Sequence, residues 1–263
     1  MTTTYLDRIL ATHRAASAAD SRPLEALLEE ARAMPAARGF AAALRRDGDD
    51  GLAVIAEVKR RSPSKGDLAP DLDPAETAVA YASGGASCLS VLTDEEFFGG
   101  SAADLTAARG AVAIPVLRKD FTVDQRDVCD ARLMGADAVL LIVAALDDTE
   151  LRSLHALATE LGLDTLVEVH DERELERALA AGSTVIGVNQ RDLVTFEVDP
   201  ARAVRVGAAM PGGIVRVAES GIRGPADAAA LAAAGFHAVL VGESVVTAGD
   251  RAASVAALRA VAL

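Results

Sequence analysis

From residue 52 onward, short runs of Val, Ile, Leu and Ala alternate with longer Ala-rich stretches that carry charges at helical spacing. The runs Leu52–Val58, Ser87–Leu92, Ile114–Leu117, Ala138–Val143, Thr165–Val169, Thr184–Val188, Ile214–Ala218 and Ala238–Val241 predict eight strands. Most are apolar nearly throughout, as expected of strands covered on both faces in a parallel sheet. Helices are predicted after them over Pro74–Ser83, Ala102–Arg109, Asp124–Met134, Asp147–Leu161, Glu172–Ala180, Pro200–Ala209, Pro225–Ala234 and Ala252–Val261. Asp, Ser or Pro marks their starts and Gly often follows their ends, which suits capping at one end and chain reversal at the other. Eight such units predict a closed (β/α)8 barrel. An open doubly wound sheet has the same periodicity and is the alternative at this level.

Residues 1–50 precede the first strand with a different pattern. Tyr5, Leu6, Ile9 and Leu10 form an amphipathic stripe, and Pro23 opens a second helix through Leu24, Leu27 and Leu28. An N-terminal helical extension is therefore predicted, covering an end or side of the barrel. No linker or low-complexity tract interrupts the chain, so residues 1–263 are read as one domain and no fused second enzyme is expected.

Composition narrows the possibilities. Hydrophobic residues make up 51% of the chain, yet Trp is absent and aromatics are 3%, so the core must be aliphatic. The net charge of −13 argues against a nucleic-acid or anionic-membrane partner. Lys59, Arg60, Arg61 and Lys65 nevertheless cluster in this acidic chain, where a small anion could be held. Cys88 and Cys129 lack metal-like spacing, and a reducing compartment is the simplest expectation. The start MTTTYLDRIL has no apolar signal core, and a soluble cytoplasmic protein is expected.

The candidate chemistry lies at strand ends. In the run LAVIAEVKRRSPSKG, Glu57 and Lys59 are two apart on an extended strand and share a face. A carboxylate and an ammonium near the end of an apolar strand are costly unless partnered, so the pair is either a structural ion pair or a functional site. Further polar residues fall at other strand ends: Lys119 in VLRKDF, Glu168 in LVEVH, Asn189 and Arg191 in GVNQRDL, and Glu219 with Ser220 in VAESGI. In a parallel barrel all these ends open on one face. Gly221 and the VGES turn with Gly242 and Ser244 put small residues after the last two strands, where backbone N–H groups can approach a phosphate. Ser62 and Lys59 would join them once the barrel closes. Phe97, Phe98 and Phe121 offer either loop packing or an apolar wall for an aromatic ring. His170 follows the Glu168 strand and reads as structural; none of the four histidines has ligand spacing.

The motifs EVKRRSPSKG, LTDEEFFGGS, LRKDF, LVEVH, GVNQRDL, AESGI and VGES, in this order, resemble indole-3-glycerol-phosphate synthase from Ala53 to Ser244. The resemblance implies an enzyme of tryptophan biosynthesis, a carboxy-lyase. It would convert 1-(2-carboxyphenylamino)-1-deoxyribulose 5-phosphate to indole-3-glycerol phosphate, carbon dioxide and water without metal or organic cofactor. It further implies Lys119 as the general acid at the ketone, Lys59 as partner of the substrate carboxylate, and Glu168 in the dehydration with Glu57 as second carboxylate. Asn189, Glu219 and Ser220 would position hydroxyls and developing charge. Ser62, Gly221, Gly242 and Ser244 would hold the phosphate, and Phe98, Phe121 and Arg191 complete the substrate-binding set. Gln190 departs from the expected pattern between Asn189 and Arg191, which bears on loop packing.

Other phosphosugar barrels remain as alternatives, among them phosphoribosylanthranilate isomerase and the tryptophan synthase α subunit, as does a non-catalytic phosphate-ligand binder. The isomerase would place a cysteine on the first strand, where this chain has Glu57 and Lys59. The expected partner is a phosphorylated small molecule, with the protein a monomer or weak homo-oligomer.

Overall fold

The first barrel strand, β1 (Ala53–Val58), is buried along its whole length, and the parallel strands on its two sides come from opposite ends of the barrel sequence. One is β2 (Cys88–Leu92), the other β8 (Ala238–Val241), paired in register Ala53↔Ala238 to Ala56↔Val241. Between them run β3 (Val116–Lys119), β4 (Ala138–Ile142), β5 (Asp164–Val169), β6 (Val185–Asn189) and β7 (Val215–Glu219). The β8–β1 pairing leaves no sheet edge and makes a closed eight-stranded parallel barrel in a computed structural model that describes residues 4–45, 51–192 and 194–261. The open-sheet alternative is thereby excluded.

The helices that cover the barrel begin where the capping residues predict. Asp73, Ser101, Asp124, Asp147, Asp171 and Asp250 each accept a hydrogen bond from a backbone N–H in the first turn of α4 (Pro74–Ser83), α6 (Ala102–Ala111), α7 (Gln125–Leu133), α8 (Asp148–Glu160), α9 (Glu172–Ala180) and α13 (Arg251–Arg259). Each such cap contributes about 1 kcal/mol. The remaining flanking helices are α10 (Pro200–Ala208) and α11 (Pro225–Ala233). Strand and helix bounds differ from the sequence expectation by a residue or two, because terminal residues complete a cap or a ladder without changing the apolar pattern. Two short helices lie on the strand C-terminal face: α12 (Glu243–Val246) starts at the VGES turn, as the sequence predicts, and α5 (Glu95–Phe98) was not separately predicted. The same is true of a small hairpin pairing Arg61–Ser62 with Gly66–Asp67.

The N-terminal extension contacts the barrel at both ends and along its side. Helix α1 (Tyr5–Ala19) sits at the strand C-terminal face, where its Tyr5 ring meets Phe97 and Phe196 edge-on at 5.8 and 5.4 Å. Helix α2 (Leu24–Ala33) packs along α7. Helix α3 (Phe40–Leu44) closes the opposite end, with Phe40 and Leu44 fully buried. The buried Asp137 ties this floor together by accepting from Arg38 N (2.8 Å), Val116 N (2.9 Å) and Arg109 Nη2 (3.0 Å). Residues 46–50 of the predicted extension lie outside the described residues. Cys88 and Cys129 are buried free thiols, and Cys88 faces the floor with its Sγ 3.9 Å from Phe40 O. Among the described residues no helix is long and apolar enough to cross a membrane.

Candidate active site

Side chains alternate along each strand, so the last inward position of several strands projects into one layer at the mouth. Glu57 is the penultimate residue of β1, Lys119 ends β3, Glu168 lies near the end of β5, and Asn189 and Glu219 end β6 and β7 side by side in register. They line a cavity of about 660 Å3, within the range of small-molecule sites. All the other predicted site residues line the same cavity: Lys59, Ser62, Phe98, Phe121, Arg191, Ser220, Gly221, Gly242 and Ser244.

Lys119 is the hub. Its Nζ lies 3.8 Å from Glu219 Oε2 and 3.9 Å from both Glu57 Oε2 and Glu168 Oε2, while Lys59 Nζ is in direct contact with Glu57 Oε1. Burial alone would pull the Lys119 ammonium down; the three carboxylates outweigh it and hold its pKa above the ordinary lysine value. Burial would likewise push Glu57 up, but Lys59 and Lys119 outweigh it and hold the carboxyl below its usual value. Glu219 goes the other way. Burial, reinforced by Glu168, drives it well above the ordinary range despite Lys119, and neither of its oxygens has a hydrogen-bond partner. Three carboxylates thus face two ammonium groups, and Glu219 is the one suited to keep a proton.

Small residues make room for this cluster. A Cβ on Gly187 would strike the Glu219 carboxylate, and one on Gly242 would strike Glu57 and come within 2.9 Å of Lys59 Nζ. Gly242 therefore backs the Glu57–Lys59 pair as well as opening the turn before α12. Ser220 adopts a left-handed φ of 65°, and its carbonyl accepts from Gln190 Nε2 at 2.7 Å. Gln190, the departure noted in the sequence, bridges the ends of β6 and β7 in this way. Asn189 Nδ2 donates to Glu168 Oε1 at 3.0 Å, and Asn189 Oδ1 accepts from Arg191 N at 3.0 Å, so this amide holds both strand and loop.

The residues expected to hold a phosphate, Ser62, Gly221, Gly242 and Ser244, line the cavity together with Glu243 of α12, Lys59 and Lys65. The Ser62 hydroxyl is buried without a partner. Two members of the expected basic cluster do not take part. Arg60 pairs with Asp104 and donates to Leu72 O (3.0 Å), and Arg61 donates to the Glu95 and Glu96 carbonyls of α5. They pin the β1 loop to the helices beside it. Phe98 and Phe121 stand 6.3 Å apart, centroid to centroid, as an apolar wall, whereas Phe97 turns away against Tyr5.

The mouth also holds residues that the sequence alone did not single out for chemistry. Tyr5, Leu6 and Ile9 of α1 line it, and the only forewarning was their amphipathic stripe. His13 Nε2 lies 2.9 Å from Asp94 Oδ2 and 3.8 Å from Asp120 Oδ1, a grouping with the ligand types of a metal site that chain spacing hid. Its oxygens are already engaged. Asp94 Oδ1 caps α5 through Phe97 N and Phe98 N, while Asp120 accepts from Thr93, Arg118 Nη2 and Phe121 N. The arrangement anchors α1 to the loops carrying Phe98 and Phe121.

The fold resembles solved barrels at low identity. The thiamine phosphate pyrophosphorylase of Pyrococcus furiosus matches with a TM-score of 0.60 at 17% identity, covering 81% of this chain and 96% of that one. Sequence relatives are closer. The indole-3-glycerol phosphate synthase of Mycolicibacterium smegmatis is 52% identical over 257 residues, 97% of this chain and 93% of its own. The indole-3-glycerol phosphate synthase 2 of Streptomyces coelicolor is 56% identical over 224 residues, 85% and 86% of the two chains. With the family model for indole-3-glycerol phosphate synthase matching residues 6–258, this chain belongs to the indole-3-glycerol phosphate synthase family.

Proposed function

We propose that the mouth carries out the family reaction on 1-(2-carboxyphenylamino)-1-deoxyribulose 5-phosphate, with its phosphate against Ser62, Gly221, Gly242 and Ser244 and its aromatic ring against Phe98 and Phe121. The observation that carries this reading is Lys119, a charged acid held within 4 Å of three carboxylates at the centre of the cavity. Lys119 gives its proton to the ketone oxygen as the ring carbon bearing the carboxylate attacks the ketone carbon. Lys59 neutralises that carboxylate until the bond to carbon dioxide breaks and its electron pair returns to the ring. The hydroxyl left by ring closure then departs as water, assisted by an acid, while Glu168 takes a proton from the adjacent carbon. Glu57 orients Lys59, and Asn189, Glu219 and Ser220 hold the sugar hydroxyls, with Arg191 bracing the loop beside them. A protonated Glu219 can donate a hydrogen bond there as well as accept one.

No step in this sequence calls for a cofactor. The buried free thiols support the cytoplasm as the protein's compartment. Neither cysteine lines the mouth, which disfavours the isomerase alternative. Incubation with the carboxyphenylamino-deoxyribulose phosphate tests the reading: indole fluorescence should rise with enzyme-dependent release of carbon dioxide, and inorganic phosphate should compete. Absence of turnover in folded protein would overturn it.

A further inference from the structure

Directly behind Glu168 is a histidine to which the mechanism above gives no role. His170 follows Glu168 by two positions at the end of β5, so both project to the same side. Its Nδ1 lies 3.0 Å from Glu174 Oε2, the same oxygen that accepts the His170 backbone N–H at 2.7 Å. A carboxylate only accepts, so Nδ1 carries a hydrogen. The other nitrogen is the informative one. Nε2 is buried, has no hydrogen-bond partner, and points at Glu168 Oε1 from 3.6 Å. In a neutral ring this nitrogen would turn a bare lone pair on a buried carboxylate, which is unfavourable electrostatically and leaves an acceptor unsatisfied. A proton on Nε2 turns that repulsion into attraction.

We propose that His170 is a positioning residue that holds a proton against Glu168, with Glu174 fixing the ring, so that the Glu168 carboxylate is held ready to act as base in the dehydration. This rests on the assignment of Glu168 in the proposed function. The charge balance agrees with it. With Glu219 protonated, Glu57 and Glu168 are matched by Lys59 and Lys119, and imidazolium His170 with Glu174 forms a second neutral pair behind them. Other charges facing the group are Lys119 on β3 and Glu219 on β7, beyond Glu168, and Arg202 on α10, which opposes the imidazolium. Burial lowers the His170 pKa, but Glu174 and Glu168 outweigh burial and Arg202, and the net direction is upward. Glu168 is also fixed from the other side by Asn189, which leaves Oε2 facing Lys119 and the cavity.

The test compares wild type, His170→Gln, Glu174→Gln and Glu168→Gln by pH profiles of kcat and KM, alongside nitrogen-15 NMR of the histidine ring. In wild type the His170 ring should carry protons on both nitrogens at neutral pH, and in Glu168→Gln that proton should be lost at lower pH. In His170→Gln the acidic limb of the kcat profile should move up by about 1 pH unit, so that kcat falls by up to roughly 10-fold at pH values below both limbs and little on the plateau, with KM changing less than about 2-fold. Glu174→Gln should move the limb the same way by less. A neutral ring in wild type, or a His170→Gln profile lowered uniformly with no shift of its limb, would overturn the proposal. Should His170→Gln fail to fold, the ring titration and Glu174→Gln decide it. Retained activity in Glu168→Gln would instead defeat the underlying assignment of the base.

Discussion

The Lys119 ammonium stands 3.8 Å from a Glu219 carboxyl group that has no hydrogen-bond partner of its own. Lys119 is therefore a structural countercharge as well as the proposed acid. Lys119→Met should leave three buried carboxyl groups with Lys59 as the remaining ammonium contact. The variant can relieve them by taking up protons, so the sign follows. Carboxyls whose folded pKa is raised lose stability as pH climbs through their unfolded value, about 4.3, toward the folded one. The stability deficit against wild type should be small near about pH 5 and reach roughly 2–3 kcal/mol near about pH 8, less than a fully buried broken pair because Glu219 already favours its protonated form. Chemical denaturation at several pH values checks this; a pH-independent deficit would contradict it.

Gly242 sits against the Glu57–Lys59 pair as well as at the proposed phosphate side. Even Gly242→Ala should lower kcat/KM by roughly 10- to 100-fold, since its methyl group displaces the ammonium proposed to meet the substrate carboxylate. Gly242→Asp adds a repulsive charge and should weaken phosphate competition further. Steady-state kinetics with phosphate as inhibitor separates the two effects, and an unimpaired Gly242→Ala would refute the placement.

Glu57 and Lys59 share a strand face and touch each other. A double-mutant cycle with Glu57→Gln and Lys59→Met on kcat/KM should be non-additive by roughly 1 kcal/mol or more, as for residues acting as a unit. Strict additivity would mean two independent neighbours.

The pH behaviour of the α1 anchor has its own sign. Burial lowers the His13 pKa, but Asp94 and Asp120 outweigh it and leave it raised. Its stabilising contact is thus fully present below the unfolded histidine value, about 6.5, and is lost as pH rises through the higher folded value. The Tm difference between wild type and His13→Ala should be largest near about pH 6 and shrink by about pH 9. A difference that grows with pH would contradict this. Because α1 lines the mouth, His13→Ala should also raise KM more than it lowers kcat.

What the sequence made legible was what strand geometry controls directly. Period-two alternation put Glu57 beside Lys59, and barrel closure brought Glu168, Asn189 and Glu219 into one layer with Lys119. Contacts made across long loops were hidden. Arg60 and Arg61 looked like ligands for an anion, but their guanidinium groups reach backward to Asp104 and to α5, which charge clustering cannot distinguish. His13 meets Asp94 only because α1 folds over the mouth, 81 residues away in sequence. Phe97 and Phe98 are adjacent in sequence, and a single turn of helix sends them to opposite tasks. His170 looked like an ordinary strand-end histidine until the positions of Glu168 and Glu174 on its two sides were known.

The most direct measurement of the central claim is turnover of the carboxyphenylamino-deoxyribulose phosphate by Lys119→Met, followed by indole fluorescence, with substrate binding measured separately. The account predicts kcat at least about 100-fold below wild type, with binding retained within about 10-fold, because the phosphate and aromatic subsites are intact and only the acid is gone. A folded Lys119→Met enzyme with kcat close to wild type would show that the proton reaches the ketone from elsewhere and would contradict the account.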